Sequence, residues 1–493
     1  MTQSSNFCSS LRAKNPAPAS STRTAPQTLL RLCAPFLLMA ALSLVTSTAF
    51  AQPAAAPAAE APKFDLGDSA WMLVSSALVL LMTPGLAFFY GGLVRGKNVL
   101  NTIMMSYGAM AILGIAWVII GYSIAFGGGG EGIHNYIGGL DYAFFNGVGY
   151  ANKYADAHTI PHMLFAVFQG MFFIITPALI SGSLVERMKF TTFFIYMAAW
   201  GLLVYCPVAH WVWGGGWIGD MGVMDFAGGA VVHVNAGFAA LAACLVLKPR
   251  KGYGSRPMLP HSLPLCLLGV GLLWFGWFGF NAGSALSANG LGVLAFTNTQ
   301  IGAAAAMLMW MILDQITRKE MTALGAGTGA VAGLVGITPA CGFVSPMGAL
   351  FVGAITSAVC YLMATLRAKG PVDDSLDAFA VHGVGGFTGA VLTGIFSVGA
   401  IGDPAYIKTL TGMTVAGDKT NTLSLPGLLE GGTGVFLHQI LATGAVAIYT
   451  FVMSYIICLV LKAVMGLRAS DEAEERGLDV SLHGEEAYAT ESA

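Results

Sequence analysis

The stretch DFAGGAVVHVNAGFAALAACLVL, residues 225–247, decides the class of fold. It is long and apolar enough to cross a hydrocarbon core, yet it carries an imidazole, His233, well inside the run. A second apolar segment, DAFAVHGVGG at residues 377–386, repeats the arrangement around His382, and each histidine follows an aspartate and a phenylalanine. Because an imidazole is costly inside a membrane, each histidine predicts a functional site, and we expect the two to be partners.

The composition is typical of a membrane protein with many spans. Of 493 residues, 56% are hydrophobic and only 10% are charged, and the mean hydropathy is +0.71. Soluble domains of this size do not have such a composition. The apolar runs predict an all-α polytopic membrane protein with eleven transmembrane helices, near residues 70–91, 102–126, 160–184, 190–212, 226–247, 262–282, 291–313, 322–342, 347–366, 379–400 and 434–461.

Four regions follow from the changes in composition along the chain. Residues 1–51 resemble a cleaved signal peptide, with basic residues before an apolar run and a small-x-small site at Ala49-Phe50-Ala51. Because that basic region is unusually long, an uncleaved anchor is the alternative. Residues 52–65 form an Ala/Pro-rich linker, residues 66–462 the eleven-span domain, and residues 463–493 a polar, acidic tail.

The placement of basic residues predicts the orientation in the cell (inner) membrane. With the mature amino terminus outside, fifteen lysines and arginines fall in cytoplasmic segments, whereas the external loops carry only Lys153, Lys408 and Lys419. The odd number of spans then places the carboxyl tail in the cytoplasm.

The two histidines occupy equivalent spans, the fifth and the tenth, of two five-span halves that run in opposite directions. Such a five-plus-five inverted repeat, here with one additional helix, is typical of transporters, whose site lies between the halves. Facing imidazoles suit hydrogen-bond donors and proton transfer. A metal site is the weaker interpretation, because Asp225 is the only carboxylate near His233 and metals need more ligands, and a purely structural pair is a third.

Aromatic residues supply a second pattern. Phe168 and Phe172 share one face of the third span, Trp213 closes the fourth, and Phe280 and Ser284 lie at the outer end of the sixth. Aromatic faces attract cations, and a hydroxyl accepts a hydrogen bond. Taken alone, most such aromatics serve packing or the membrane interface.

Four strings in the chain together resemble the ammonium transporter (methylammonium permease, Rhesus-related) family of bacterial type. They are WGGGWIGDMGVMDFAGGAVVHVN at 213–235, WFGFNAGS at 277–284, GLVGITPACG at 333–342 and VHGVGG at 381–386. The resemblance covers roughly residues 66–490. It implies an eleven-helix bundle that assembles as a homotrimer, with one pore in each protomer and no cofactor or metal.

The resemblance also implies roles for individual residues. Phe168, Trp213 and Ser284 match an external site that recruits ammonium or methylammonium, and Phe172 and Phe280 match a stacked gate beneath it. His233 and His382 match twin pore histidines that relay protons, and Asp225 matches a structural support for the vestibule. The tail resembles the ordered cytoplasmic tail of bacterial members, which supports regulation by PII-type nitrogen-regulatory proteins.

The expected function is therefore transport of ammonium, in which NH4+ is deprotonated and NH3 is conducted, with or without separate proton transfer. One alternative is an ammonium sensor with little transport, although such sensors usually add a soluble output domain and this tail is short. A Rhesus-like gas channel is a second alternative. A membrane enzyme with histidines on a metal is the third, but such enzymes require clustered histidines at the membrane surface. We expect a transport protein rather than an enzyme.

Overall fold

A computed structural model describes residues 63–128, 132–155, 158–399, 401 and 426–488. The predicted signal peptide, most of the linker, most of the loop at 401–433 and the last five residues of the tail lie outside the described residues, so the predictions made for them are not tested.

The described chain is a bundle of long apolar helices. Their bounds are α1 (Leu66–Leu93), α2 (Gly96–Phe126), α3 (His162–Ser183), α4 (Phe190–Asp220), α5 (Gly229–Leu247), α6 (Leu263–Gly283), α7 (Gly290–Arg318), α8 (Ala323–Ile337), α9 (Pro346–Ala368), α10 (Phe379–Phe396) and α11 (Thr433–Val464). Each overlaps one of the eleven predicted spans, and α8 is the helix that falls clearly short of its span. Within the described residues, ten of them are long and apolar enough to cross a membrane, which confirms an all-α polytopic fold.

The eighth predicted span is the one that departs from expectation. A span was predicted over 322–342, but α8 ends at Ile337 after 15 residues, short of the roughly 20 needed to cross a bilayer. Pro339 accounts for the early end, because proline has no N–H with which to continue the hydrogen bonding of the helix. The chain continues through turns to Val344, where its core side chains remain fully buried.

Polar side chains define where several helices begin. The side chains of Asp65, Ser262, Asn289, Thr322 and Ser345 each accept a hydrogen bond from a backbone N–H in the first turn of the helix that follows. These caps pair donors that a helix start otherwise leaves unsatisfied, and in a membrane protein they set the depth at which the apolar segment begins.

Equivalent helices of the two halves pack against each other at glycines. On α1, a Cβ at Gly92 would lie 2.5 Å from the backbone nitrogen of Cys266 on α6. On α5, a Cβ at Gly237 would clash with the backbone of Gly383 on α10. Small residues allow this close approach of backbones, which is the usual way that membrane helices pack. The α5–α10 crossing lies beside both histidines.

We call the two ends of the bundle the loop end, which carries residues 132–155, and the tail end, which carries residues 465–488. At the tail end a short helix, α12 (Asp471–Arg476), and a π-helical turn (Asp479–His483) lie against the starts of the membrane helices. The carboxylate of Asp479 accepts hydrogen bonds from the backbone N–H groups of Leu100 (3.0 Å) and Asn101 (2.8 Å), near the start of α2. The described part of the tail is therefore ordered against the bundle.

Candidate functional site: a histidine-lined pore

The two predicted histidines meet in the middle of the bundle. His233 Nδ1 and His382 Nδ1 lie 3.3 Å apart, with ring planes inclined by 21°. Both side chains are buried, and His233 also stacks on Trp277, with ring centroids 5.3 Å apart. The structure therefore brings the two predicted histidines together, and their joint role in transport stays a prediction.

The contact between the Nδ1 atoms constrains the far nitrogens of both rings. If two neutral rings share one hydrogen there, the donor ring has a lone pair on Nε2 and the acceptor ring has a hydrogen on Nε2. His233 Nε2 is buried and has no hydrogen-bond partner among the described residues. In a pair of this kind, the Nε2 atom of one ring can accept a hydrogen bond from a solute in the cavity, and the Nε2–H of the other ring can donate one.

Each histidine lies in a wide π-helical turn, Gly229–Val234 at the start of α5 and Phe379–Val384 at the start of α10. The backbone N–H of His233 donates to the carbonyl of Gly228, five residues earlier, at 3.1 Å. Such turns are rare and frequent at functional sites, because the extra residue re-aims a side chain. In both halves the turn directs the imidazole toward the opposite half.

A buried carboxylate precedes each turn. Asp225 accepts hydrogen bonds from four consecutive backbone N–H groups, those of residues 228–231, at 2.5–3.1 Å. Asp374 accepts from three, those of residues 378–380, at 2.9–3.3 Å, and from the hydroxyl of Ser183. Both aspartates stand eight residues before their histidine.

Asp377, the aspartate in the quoted stretch around His382, is therefore not the structural counterpart of Asp225. Asp377 stands only five residues before His382, and its carboxylate forms an ion pair with Arg367 at 2.7 Å. Its side chain lines a cavity at the tail end, not the start of the histidine turn. Asp374 lies three residues before the quoted stretch 377–386, although its spacing of eight residues from His382 was available in the sequence.

The histidines line a narrow apolar cavity, with a volume of about 10 Å³. The other lining residues are almost all apolar: Met82, Leu86, Phe89, Ile175, Leu179, Val232, Leu273, Trp277, Phe280 and Val331. That volume is about what one water molecule requires. Few groups in the lining besides the imidazoles could form a hydrogen bond with a molecule in the cavity.

Two phenylalanines close this cavity toward the loop end. The rings of Phe172 and Phe280 lie 4.3 Å apart between centroids, and Phe280 lies 5.9 Å from His233. Both rings are buried, and they come from different helices, α3 and α6. The structure thus brings the two predicted gate residues into contact, directly above the histidine pair.

A second small cavity lies on the other side of these rings, at the loop end. Its volume is also about 10 Å³, and its lining includes Trp213, Ser284 and Phe172 of the predicted set. The indole Nε1 of Trp213 donates to the backbone carbonyl of Asp225 at 3.0 Å, which fixes the orientation of the ring. The hydroxyl of Ser284 donates to the carbonyl of Phe280 at 2.8 Å.

The lining of this outer cavity differs from the prediction. Phe168 packs edge-on against Phe172, with centroids 5.0 Å apart, and does not contribute to the lining. Four residues that were not predicted do: Phe126, Phe165, Gln169 and Phe226. Phe165 and Gln169 are four residues apart on α3, the same spacing that drew attention to Phe168 and Phe172, so helical periodicity could have found them.

A larger cavity of about 170 Å³ opens from His382 toward the tail end. Tyr90, Ser375 and Asp377 contribute polar groups to its lining. His382 also lines the narrow cavity, so the two spaces meet at its ring. We call this larger space the inner cavity. From the loop end to the tail end, the passage therefore consists of the outer cavity, the stacked phenyl rings, the histidine cavity and the inner cavity.

A charged network supports the tail end next to this opening. Arg250 pairs with Glu186 and with Asp373, each at 2.8 Å, and Arg95 pairs with Glu186 at 2.9 Å. Burial favours the neutral form of Glu186, but hydrogen bonds and charge from Arg95 and Arg250 outweigh it and lower the pKa to about 2. The network links the loop before α4 with the loops before α6 and α10.

A bundle of apolar helices with a narrow, polar-centred passage between two halves defines a helical membrane transport protein. Comparisons with known proteins identify the family. The model of the Ammonium Transporter Family matches residues 70–488. The ammonium transporter of Bacillus subtilis is 44% identical over 426 residues, which cover 86% of this chain and 98% of that protein. The ammonium transporter of Aquifex aeolicus is 46% identical over 449 residues, covering 91% and 97%.

Solved structures agree with these relatives. The crystal structure of Saccharomyces cerevisiae Mep2 superposes with a TM-score of 0.75 at 34% identity, covering 83% of this chain and 89% of that one. A structure described as a sensor Amt protein superposes with a TM-score of 0.73 at 28% identity, covering 84% and 98%. The chain belongs to the ammonium transporter family.

Proposed function

We propose that this ammonium transporter recruits NH4+ in the outer cavity, removes a proton from it, and conducts NH3 past Phe172 and Phe280. In this proposal the proton travels separately along His233 and His382. The observation that carries the proposal is the contact of the two imidazoles, 3.3 Å apart, beside a small apolar cavity that both of them line.

The energetics of desolvation favour this route. Carrying an ion without its water through apolar walls is prohibitive, whereas a neutral molecule of the same size crosses at far lower cost. Deprotonation before the phenyl rings avoids the cost of moving the ion. Potassium has no proton to give, so a passage of this kind rejects it despite its similar radius.

The proposal is tested in proteoliposomes with the double variant His233→Ala, His382→Ala. Currents on solid-supported membranes are recorded after jumps of NH4+, methylammonium and K+, with an internal-pH dye in the same vesicles. The native protein should respond to NH4+ and methylammonium but not K+. The double variant should lose that response or lose the exclusion of K+. Ammonium transport that persists in it and still excludes K+ would contradict the histidine mechanism.

His438→Ala is the matched control, because His438 lies on α11 and does not line the described passage. The dye separates the remaining alternatives in the native protein. Alkalinisation without current indicates electroneutral NH3 passage, as in a Rhesus-like gas channel, whereas neither signal indicates a sensor with little transport.

We also propose that the loop end faces the outside and the tail end the cytoplasm. The distribution of basic residues supports this orientation, because Arg95, Arg187, Arg250 and Arg468 all belong to the tail end. Single cysteines placed at Tyr150 and at Lys369 provide the test. An impermeant maleimide applied to intact cells should label the first and spare the second.

The family further suggests a homotrimer and regulation by a PII-type protein through the tail. Native mass spectrometry in detergent should give three copies per particle. Deleting residues 470–493 should alter regulation or the coupling between protomers. Unchanged binding of a PII-type protein after that deletion would exclude the tail as the docking element.

A further inference from the structure

One residue that lines the outer cavity, Gln169, has a buried amide oxygen with no hydrogen-bond partner among the described residues. We propose that Gln169 is a substrate ligand and that its Oε1 accepts a hydrogen bond from the ammonium ion in this cavity. The inference rests on the proposed function, because it adds a specificity-determining residue to the recruitment step.

The position of Gln169 points to a ligand. Its side chain is 8% exposed and lines the outer cavity together with Trp213 and Ser284. Its Oε1 is completely buried and has no hydrogen-bond partner among the described residues. Buried polar atoms are nearly always paired, so an unpaired amide oxygen that borders a cavity is explained by a donor that occupies the cavity.

The helix explains why the amide is held there. Phe165, Gln169 and Phe172 follow one another at spacings of four and three residues, so all three lie on the same face of α3, and all three line the cavity. An apolar residue at 169 would complete an apolar wall with its neighbours. A glutamine there is unfavourable for packing alone, because burial of an unpaired amide costs free energy.

The other polar groups of the cavity define the class of ligand. Because Ser284 gives its hydroxyl hydrogen to the carbonyl of Phe280, it has no hydrogen left to donate to a ligand. Because Trp213 gives its N–H to the carbonyl of Asp225, it presents only its ring to the cavity. A cavity with acceptors and aromatic faces selects a cation that donates hydrogen bonds.

The size of the space agrees with a small occupant. The cavity volume of about 10 Å³ suits one molecule of the size of water or ammonium. Four N–H groups of an ammonium ion can then be shared between the oxygen of Ser284, the oxygen of Gln169 and the surrounding rings. An ion with no hydrogen atoms gains no directional bond from the amide.

The test uses two replacements of similar length without an amide, Gln169→Leu and Gln169→Met, in the full-length protein reconstituted in vesicles. Ammonium transport is measured over a range of concentrations. Loss of one hydrogen bond to a charged ligand should raise KM roughly 10- to 100-fold, while the maximal rate stays within about twofold. Thermal melting in detergent verifies that both variants fold.

Gln315→Leu is the matched control, because Gln315 lies exposed on α7, does not line the outer cavity, and donates its amide N–H to the carbonyl of Lys319. Its KM should equal that of the native protein. Ser284→Ala and Trp213→Leu report on the cavity itself. If those two raise KM and both Gln169 variants retain the native value, the role of Gln169 is overturned while the recruitment site stands. If none of the four changes KM, the recruitment site is overturned as well.

Discussion

Asp225 and Asp374 perform the same task in the two halves of the bundle. Each carboxylate is buried, stands eight residues before a pore histidine, and accepts backbone hydrogen bonds from the start of the helix that carries that histidine. A negative charge at a helix start also interacts favourably with the helix dipole. The orientation of both imidazoles therefore depends on buried carboxylates that bind the backbone and not the imidazole rings.

Asp225→Asn and Asp374→Asn are predicted to be more damaging than their size suggests. An amide NH2 placed among backbone N–H donors loses acceptors and adds repulsion, so each variant should lose about 3 kcal/mol of stability and most of its transport. Thermal unfolding in detergent and uptake by proteoliposomes measure both effects. Asp220→Asn, at an exposed position on α4, should change neither. Native transport in the Asp374 variant would contradict the equivalence of the two carboxylates.

Removing one ring of the stacked pair should open the passage to water. Phe172→Ala or Phe280→Ala deletes a buried ring and leaves a void between the outer cavity and the histidines. We expect proteoliposomes with either variant to show higher osmotic water permeability and weaker exclusion of K+, measured by stopped-flow light scattering and by current.

Phe278→Ala is the appropriate control for this experiment. Its ring stacks on Phe296 at 4.1 Å and does not line the passage. The variant should show the native water permeability. Equal permeability in all three variants would mean that the stacked rings do not form the barrier.

The charged network at the tail end predicts a stability that depends on pH. The pKa of Glu186 is lowered from 4.5 to about 2, so its contribution is present above pH 4.5 and is lost as the pH falls toward 2. Glu186→Gln should therefore reduce stability by about 3 kcal/mol at neutral pH, and the difference from the native protein should shrink below pH 4.5.

Melting temperatures between pH 7 and pH 3 test this prediction. Glu320→Gln, in an exposed turn between α7 and α8, should follow the native curve throughout. A constant difference between Glu186→Gln and the native protein across the whole range would show that the charge of Glu186 is not the cause.

The tail should detach more often when Asp479 loses its charge. Asp479→Asn weakens two hydrogen bonds to the start of α2 and a favourable interaction with the helix dipole, together worth about 1–2 kcal/mol. Trypsin should then cleave after Arg476 roughly 5- to 30-fold faster, as followed by mass spectrometry. Glu472→Gln, on the exposed side of α12, should leave the rate unchanged.

The sequence predicted the helices well because each apolar run is nearly as long as a membrane span. It overestimated the length of the eighth helix, because α8 ends at Ile337, before Pro339, although the apolar composition continues. The apolar composition of a segment indicates that it is buried, but it does not show where the helical hydrogen bonding stops. In residues 322–342 a single proline stops that hydrogen bonding while the segment stays buried.

The sequence identified the central pair, His233 and His382, because imidazoles stand out in apolar segments. The outer cavity was harder, since Phe126, Phe165, Gln169 and Phe226 come from three different parts of the chain. Each has an ordinary explanation as a packing residue when its neighbours are unknown. Their common position becomes visible only when the end of α2, the first half of α3 and the segment before α5 are placed side by side.

The crossing of α5 and α10 at Gly237 and Gly383 has a mechanical consequence. Because the two backbones touch there, the halves cannot slide or rock without separating the imidazoles that they carry. Transport by rocking of one half against the other would break the proposed proton route in every cycle. The bundle is therefore suited to a channel with a rigid backbone. In such a channel, turnover depends on the motion of side chains and of the solute, and not on the motion of domains.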